Sequence, residues 1–277
     1  MLHSLSTTVN LLLSPATQDE WKFVDVLPPL EEDEVQVWRL ELFDDAGLLP
    51  VCNEYLTAEE QARAERKRAG RVREQFAVAR ACLRILLGNA FGIGPLRVPI
   101  VENSYGKPEA LVPGHSLSFN VTHSRGTILI ALCKKGAVGI DAEYIDPSTD
   151  VMEIAQSTFS SNELQSISSL VSPEARRLAF YRCWTQKEAV IKADGRGLSL
   201  SLSCFDVPVS PARSASVQVT EATGEIGKRY ILDDIALGRD VVGAIATDSP
   251  NCRMNWLYFP LSVLRDRPVK NNRAYSL

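Results

Sequence analysis

V-G-I-D-A-E at residues 138–143 and F-Y-R-C-W-T-Q-K-E-A-V-I-K at residues 180–192 decide how this chain is read. The first segment ends an apolar run in two carboxylates, Asp141 and Glu143. On an extended strand residues i and i+2 point to the same side, so both can grip one hard cation. The second segment places Glu188 and Lys192 one helical turn apart, on one face. A third carboxylate and an ammonium beside the first two suit Mg²⁺ and a phosphorylated substrate. Taken singly, each pair has a plainer reading. Asp141 and Glu143 also describe an exposed acidic strand end, and Glu188 with Lys192 an i,i+4 surface ion pair.

Working outward, the elements alternate between the two periods. V-Q-V-W-R-L-E-L at 35–42 is strand-like. Thr57 with Glu60 is a capping box and predicts a helix start. Gly70 divides that helix from a second at about 72–87, which should stop near Gly88. Strands are expected around 96–101, 115–121 and 127–133, and Lys134-Lys135-Gly136 turns into a strand at 137–141. Ser160 with Glu163 is a second capping box. Ser172-Pro173 opens a helix that should run to about 193 and end at Gly195. Further strands are expected near 204–209, 215–220, 229–236 and 240–247. Residues 1–34 read as a lead-in, 35–137 and 138–250 as two halves, and 251–277 as a tail, mobile at its end. The pattern is α+β.

Bulk properties narrow the function. The 277 residues are 45% hydrophobic and 23% charged, an ordinary globular composition. A net charge of −4 argues against a dedicated nucleic-acid binder. Six cysteines without a C-x-x-C pair read as buried apolar residues in a reducing compartment, and three histidines make a zinc site a poor expectation. No apolar stretch reaches the ~20 residues of a membrane helix and no targeting segment is evident, so a cytoplasmic protein with no membrane partner is expected.

The two segments also carry a family resemblance. V-G-I-D-A-E followed by W-T-Q-K-E-A-V-I-K is similar to the signature of the 4′-phosphopantetheinyl transferases. Y-G-K-P at 105–108, F-N-V-T-H-S at 119–124 and G-R-G-L-S-L-S-L at 195–202 resemble further family motifs, in order, over roughly residues 57–205. The length resembles the surfactin-synthetase-activating (Sfp-like) subgroup. That resemblance implies two similar halves related by a pseudo-twofold, with coenzyme A in the cleft between them and a boundary near 135–140. A monomer is then expected, since one chain completes the cleft.

The implied reaction moves 4′-phosphopantetheine from coenzyme A to a serine of an acyl or peptidyl carrier protein and releases 3′,5′-ADP. The carriers are those of fatty acid, polyketide or nonribosomal peptide synthesis. The resemblance implies Asp141, Glu143 and Glu188 as Mg²⁺ ligands. Glu188 is also the candidate for activating the serine, directly or through a water, a role that competes with metal binding. Lys192 would neutralise the pyrophosphate or protonate the leaving group. Lys187 belongs to the motif but lies about 100° from Glu188 around the helix. Thr122 and His123 stand where the family contacts coenzyme A phosphates, and Lys107 where it reaches the nucleotide. Arg73 and Arg80, in R-x-x-F-x-x-x-R, stand where the 3′-phosphate binds. The other cations of 63–84 are candidates for steering an acidic carrier. Two other classes stay open: a Mg²⁺-dependent nuclease or phosphodiesterase, and an inactive coenzyme A- or carrier-binding module.

Overall fold

In the computed structural model, which describes residues 21–42, 48–67, 70–220, 224 and 226–265, strand β7 is Val138–Tyr144 and alternates as its sequence dictates. Val138, Ile140 and Ala142 enter a buried apolar cluster. Gly139, Asp141 and Glu143, of opposite parity, turn to the other face. The described chain begins with β1 (Lys22–Phe23), β2 (Glu34–Glu41), α1 (Leu48–Asn53) and α2 (Ala58–Glu65). Then come α3 (Arg71–Phe91), β3 (Ile100–Glu102), β4 (Pro108–Ala110), β5 (Ser118–Ser124) and β6 (Thr127–Cys133). After β7 follow α4 (Val151–Thr158), α5 (Ser161–Ser168), α6 (Pro173–Asp194), β8 (Ala215–Thr220), β9 (Ile226–Ala236), β10 (Val241–Thr247), β11 (Arg253–Tyr258) and α7 (Ser262–Arg265).

Two main sheets result, a mixed α+β fold. The first has order β1-β11-β2-β6-β5, and the second β7-β10-β9-β8. Val35 and Val37 of β2, Leu129 and Ala131 of β6, and Ile245 of β10 join the β7 residues in the cluster shared by the two sheets. The long helix α3 covers the other face of the first sheet through Ala81, Leu83 and Leu86, against Trp38, Ile128 and Ile130. Helix α6 covers the second sheet through Phe180, Cys183, Val190 and Ile191, against Leu232, Ala244 and Ala246.

Local chemistry accounts for the helix ends. Both capping boxes are formed, Thr57 with Glu60 and Ser160 with Glu163. Helix α6 starts at Pro173 behind N-cap Ser172 and ends at the left-handed Gly195. Helix α3 does not stop at Gly88. It runs on to a left-handed Gly92. Gly88 serves close packing instead, because a β-carbon there would sit 2.8 Å from the Ile93 carbonyl oxygen.

Other expectations need correction. Residues 95–97 form a 3₁₀ turn ahead of the short β3, and 202–204 form a 3₁₀ turn where a strand was expected. Helices α1 and α4 had no clear sequence signal. Tail residues 253–258 form β11, which pairs in parallel with both β1 and β2. Trp21, in the expected lead-in, is buried and meets Trp256 edge-on at 5.3 Å between centroids. Residues 1–20 and 266–277 lie outside the described residues.

The two sheets also meet along a seam of side chains. Strands β5 and β7 are edges of different sheets. Alternate residues of β5 face β7 and satisfy its free edge. Ser118 Oγ accepts from the Val138 amide at 3.2 Å, and Asn120 Oδ1 accepts from the Ile140 amide at 3.0 Å. At the far end the Arg125 guanidinium stacks 3.8 Å from the centre of the Tyr144 ring.

Candidate active site

Gly139 lets the site form. A β-carbon at this position would overlap the Ala189 carbonyl oxygen and the Ala193 amide nitrogen of α6, and would lie 2.9 Å from the Lys192 carbonyl carbon. Only glycine lets the helix backbone rest on β7. That close approach carries Lys192 across to the strand residue two places on. Its Nζ donates to Asp141 Oδ1 at 2.6 Å and lies 3.4 Å from the Ile140 carbonyl oxygen.

Asp141 is 3% exposed. Thr122 Oγ1, the next β5 residue along the seam, donates to Asp141 Oδ1 at 3.2 Å. Asp141 Oδ2 is buried and has no hydrogen-bond partner. A buried carboxylate oxygen left in that state is costly, so it marks a place for a further cationic or donor group.

Glu143 and Glu188 complete an acidic group that is coupled through charge. Desolvation, then the charge of Asp141, raises the Glu143 carboxyl to about 7, with Glu188 adding to the rise and Lys192 opposing it. Desolvation followed by Asp141 also raises Glu188. Among the described residues no three Asp, Glu, His or Cys side chains converge on one ion-sized point. The expected closed triad of Asp141, Glu143 and Glu188 is therefore not drawn together here. Lys192 pairs with Asp141 instead, and its charge also acts on both glutamates.

A cavity of about 250 Å³ opens at Glu188 and Lys192, lined also by Tyr105, Lys107, Asn120 and Ile191, among others. Lys107 comes from the turn of the β3–β4 hairpin. Asn103 Oδ1 shapes that turn by accepting from the Tyr105 and Lys107 amides at 2.9 and 3.0 Å. Lys107 Nζ donates to the Ala193 carbonyl at 3.3 Å, at the negative end of the α6 dipole. Desolvation lowers the pKa of Lys107. His123 follows Thr122 on β5, and its side chain is exposed at the surface. Desolvation, with smaller contributions from Lys192 and Lys67, lowers its pKa and favours the neutral imidazole.

A second cleft, about 1000 Å³, shares Pro108 with the first and is lined by Arg63, Arg66, Arg80 and Arg84. Arg80 lies where the R-x-x-F-x-x-x-R reading puts it. Arg73 does not line either cavity. It sits 4.0 Å from Glu65, and its Nε is buried without a partner. Sequence reasoning missed a cluster that shares Arg63 and Arg80 with this cleft. Arg63, Lys67 and Arg80 surround the single ring of Phe76 at 5.8, 5.1 and 6.0 Å from its centre. Phe76 is the aromatic of that same motif, so the signal was present in the pattern.

Lys187, adjacent to Glu188, is 0% exposed and points away from the cavity. Its Nζ donates to the Leu202 and Phe205 carbonyls at 2.6 and 2.7 Å and pairs with Glu163 at 2.8 Å.

Comparison with known proteins shows relatives of the chain. Residues 137–246 match the model of the 4′-phosphopantetheinyl transferase superfamily. The chain is 32% identical over 195 residues to the 4′-phosphopantetheinyl transferase HetI of Nostoc sp., covering 70% of this chain and 81% of that protein. It is 31% identical over 140 residues to a 4′-phosphopantetheinyl transferase of Bacillus subtilis, covering 50% of this chain and 60% of the other. With AcpT of Salmonella typhi it shares 36% over 133 residues, 48% and 66% of the two chains. Strand β7, helix α6 and the carboxylates they present all lie inside the matched region. This chain belongs to the 4′-phosphopantetheinyl transferase family.

Proposed function

We propose that this chain transfers the 4′-phosphopantetheine group of coenzyme A to a serine hydroxyl of an apo acyl or peptidyl carrier protein, with Mg²⁺, and that it is of the Sfp-like kind. Residues 35–137 and 138–250 form the bulk of its two halves, and β1 and β11, from 1–34 and 251–277, complete the first sheet. The observation that carries the reading is the Asp141 carboxylate: held by Lys192 and Thr122, with Oδ2 buried and unpartnered, beside the cavity that Lys107 and Glu188 line.

The donor set fits a hard divalent cation. It is all oxygen, from three carboxylates, and Glu143 is raised to about 7 by desolvation first and then by the charge of Asp141, which a cation would offset. Asp141, Glu143 and Glu188 would hold it, and when bound it neutralises pyrophosphate charge. The chain's own groups do the rest. Lys192 and Lys107 offer ammonium charge to phosphate oxygens, and Arg63, Lys67 and Arg80 take the phosphate of the nucleotide end. His123 orients the phosphates from β5, and Thr122 holds the Asp141 carboxylate beside them. Glu188, its carboxyl raised by desolvation and then by Asp141, is the candidate to accept the serine proton. The serine oxygen then bonds to the β-phosphorus as the bond to the 3′,5′-ADP oxygen breaks. Positioning and electrostatics dominate such transfers.

The test is incubation with coenzyme A, Mg²⁺ and several apo carrier domains, followed by intact-mass measurement of each carrier. A phosphopantetheine increment on the carrier serine is expected. Unmodified carriers throughout, or cleavage of added nucleic acid instead, would reject the reading.

A further inference from the structure

One buried device occurs twice in the chain. In the first half, Glu60 closes the capping box of α2 and its carboxylate takes Arg84 Nε at 2.6 Å. Arg84 Nη1 then donates to the Pro95 and Val98 carbonyls at 3.0 and 3.1 Å, in the 3₁₀ turn that follows α3. In the second half, Glu163 closes the capping box of α5 and takes Lys187 Nζ at 2.8 Å. Lys187 donates to the Leu202 and Phe205 carbonyls in and just after the 3₁₀ turn at 202–204. The acid and the cation are 24 residues apart in the first copy, and residues 163 and 187 repeat that spacing. The left-handed glycines that end the two long helices, Gly92 and Gly195, keep the same offset as the two acids and the two cations.

The two copies hold different cargo. One turn before Arg84, α3 carries Arg80, whose Nε lies 3.5 Å from Glu60 in the cationic cleft. Next to Lys187, α6 carries Glu188 and, one turn on, Lys192. At the positions of α3 that match these two stand Ile85 and Asn89, which carry no charge.

Resting on the proposed function, we infer that Glu163 and Lys187 are positioning residues that fix the rotation and height of α6 over β7, and that the motif lysine never contacts substrate. All three Nζ hydrogens have protein acceptors, the ammonium lies 4.5 Å from the centre of the Phe205 ring, and the side chain is sealed from water. Glu163 is equally committed, accepting from the Ser160 amide at 3.0 Å and the Val207 amide at 2.8 Å. The clamp therefore ties α5, α6 and the 202–207 segment together at the residue next to Glu188. Its first-half twin sets Arg80 by the same means.

The twin supplies the control. Steady-state transfer is measured for the wild type, Lys187→Met, Glu163→Gln and Arg84→Met, with amide exchange on each. Lys187→Met and Glu163→Gln should lower kcat by about tenfold or more while the KM for coenzyme A stays within about threefold. Arg84→Met should do the reverse, raising that KM about fivefold or more with kcat little changed. Segment 202–207 should lose exchange protection in the two second-half variants only. Glu163→Gln removes the charge but keeps an amide oxygen for the capping box, so it decides the matter if Lys187→Met does not fold. The inference is overturned if Lys187→Met raises the KM for coenzyme A at unchanged kcat, if both halves give the same kinetic signature, or if neither second-half variant departs from wild type. A wild type that modifies no carrier sinks the proposed function instead, and the clamp is then judged by the exchange result alone.

Discussion

Replacing Gly139 with alanine is the sharpest test of how the fold makes the site. The added methyl would fall inside contact distance of two α6 backbone atoms and 2.9 Å from a third, the Lys192 carbonyl carbon. None of these is the flexible end of a side chain. To recover ordinary contact the helix must retreat by roughly 1 Å, which is enough to cost on the order of 100-fold in rate when it misplaces reacting groups. Overpacking of this kind costs about 1–3 kcal/mol, or ~2–4 °C of melting temperature per kcal/mol at this chain length. Helix α6 carries Glu188 and Lys192, so the retreat lengthens the 2.6 Å Lys192–Asp141 contact directly. Carrier modification by intact mass, together with a thermal melt, reads both effects. Wild-type turnover with an unchanged melt would show that the helix does not rest on Gly139 and would refute the argument.

Truncating Asp141 or Glu188 to alanine should reduce transfer by at least ~10³-fold, since each removes charge beside the pyrophosphate; turnover near wild type at ordinary Mg²⁺ would strike both from the site. His123→Ala should weaken coenzyme A by roughly tenfold, the size of one hydrogen bond to a charged group, and leave carrier binding alone; calorimetry with each ligand separates the two. The thiols of Cys52 and Cys133, pushed up by burial to about 12, should resist labelling in the native protein at pH 8, where only about one in ten thousand is ionised. Half-buried Cys204 should react first, and guanidinium should release all six; rapid native labelling of Cys52 would contradict its packing.

What could be read from the sequence was what local chemistry decides. Both capping boxes, the proline at the first position of α6 and Gly195 act over a few residues, so α6 and the approach to it were legible. Strand β7 was legible because its period of two separates apolar from acidic side chains. Gly88 misled because a glycine inside a helix and one past its end look alike until the 93–95 segment folds back on it. Strand β11 was read as tail because its place is fixed by β1 and β2, more than 200 residues away. The carboxylates were identifiable by type, but the partner of Asp141 was not, because Lys192 meets it from 51 residues on.

Lys187 is the clearest case of a residue whose chemistry the sequence states and whose role only the fold assigns. A lysine next to a proposed metal ligand invites a catalytic reading, and helical geometry alone places it a third of a turn away rather than out of the site. Its burial follows from a glutamate already spent on a helix cap and from two carbonyls that a 3₁₀ turn leaves without intrahelical partners. The same solution, with arginine for lysine, sits under α3, where the matching helix positions carry no acid and no ammonium. A device present in both halves, in only one of which the helix bears Glu188 and Lys192, is a property of the scaffold and not of the reaction. The chemistry is written on a neighbouring face of α6, in Glu188 and Lys192, and the fold repeats the support without repeating the site.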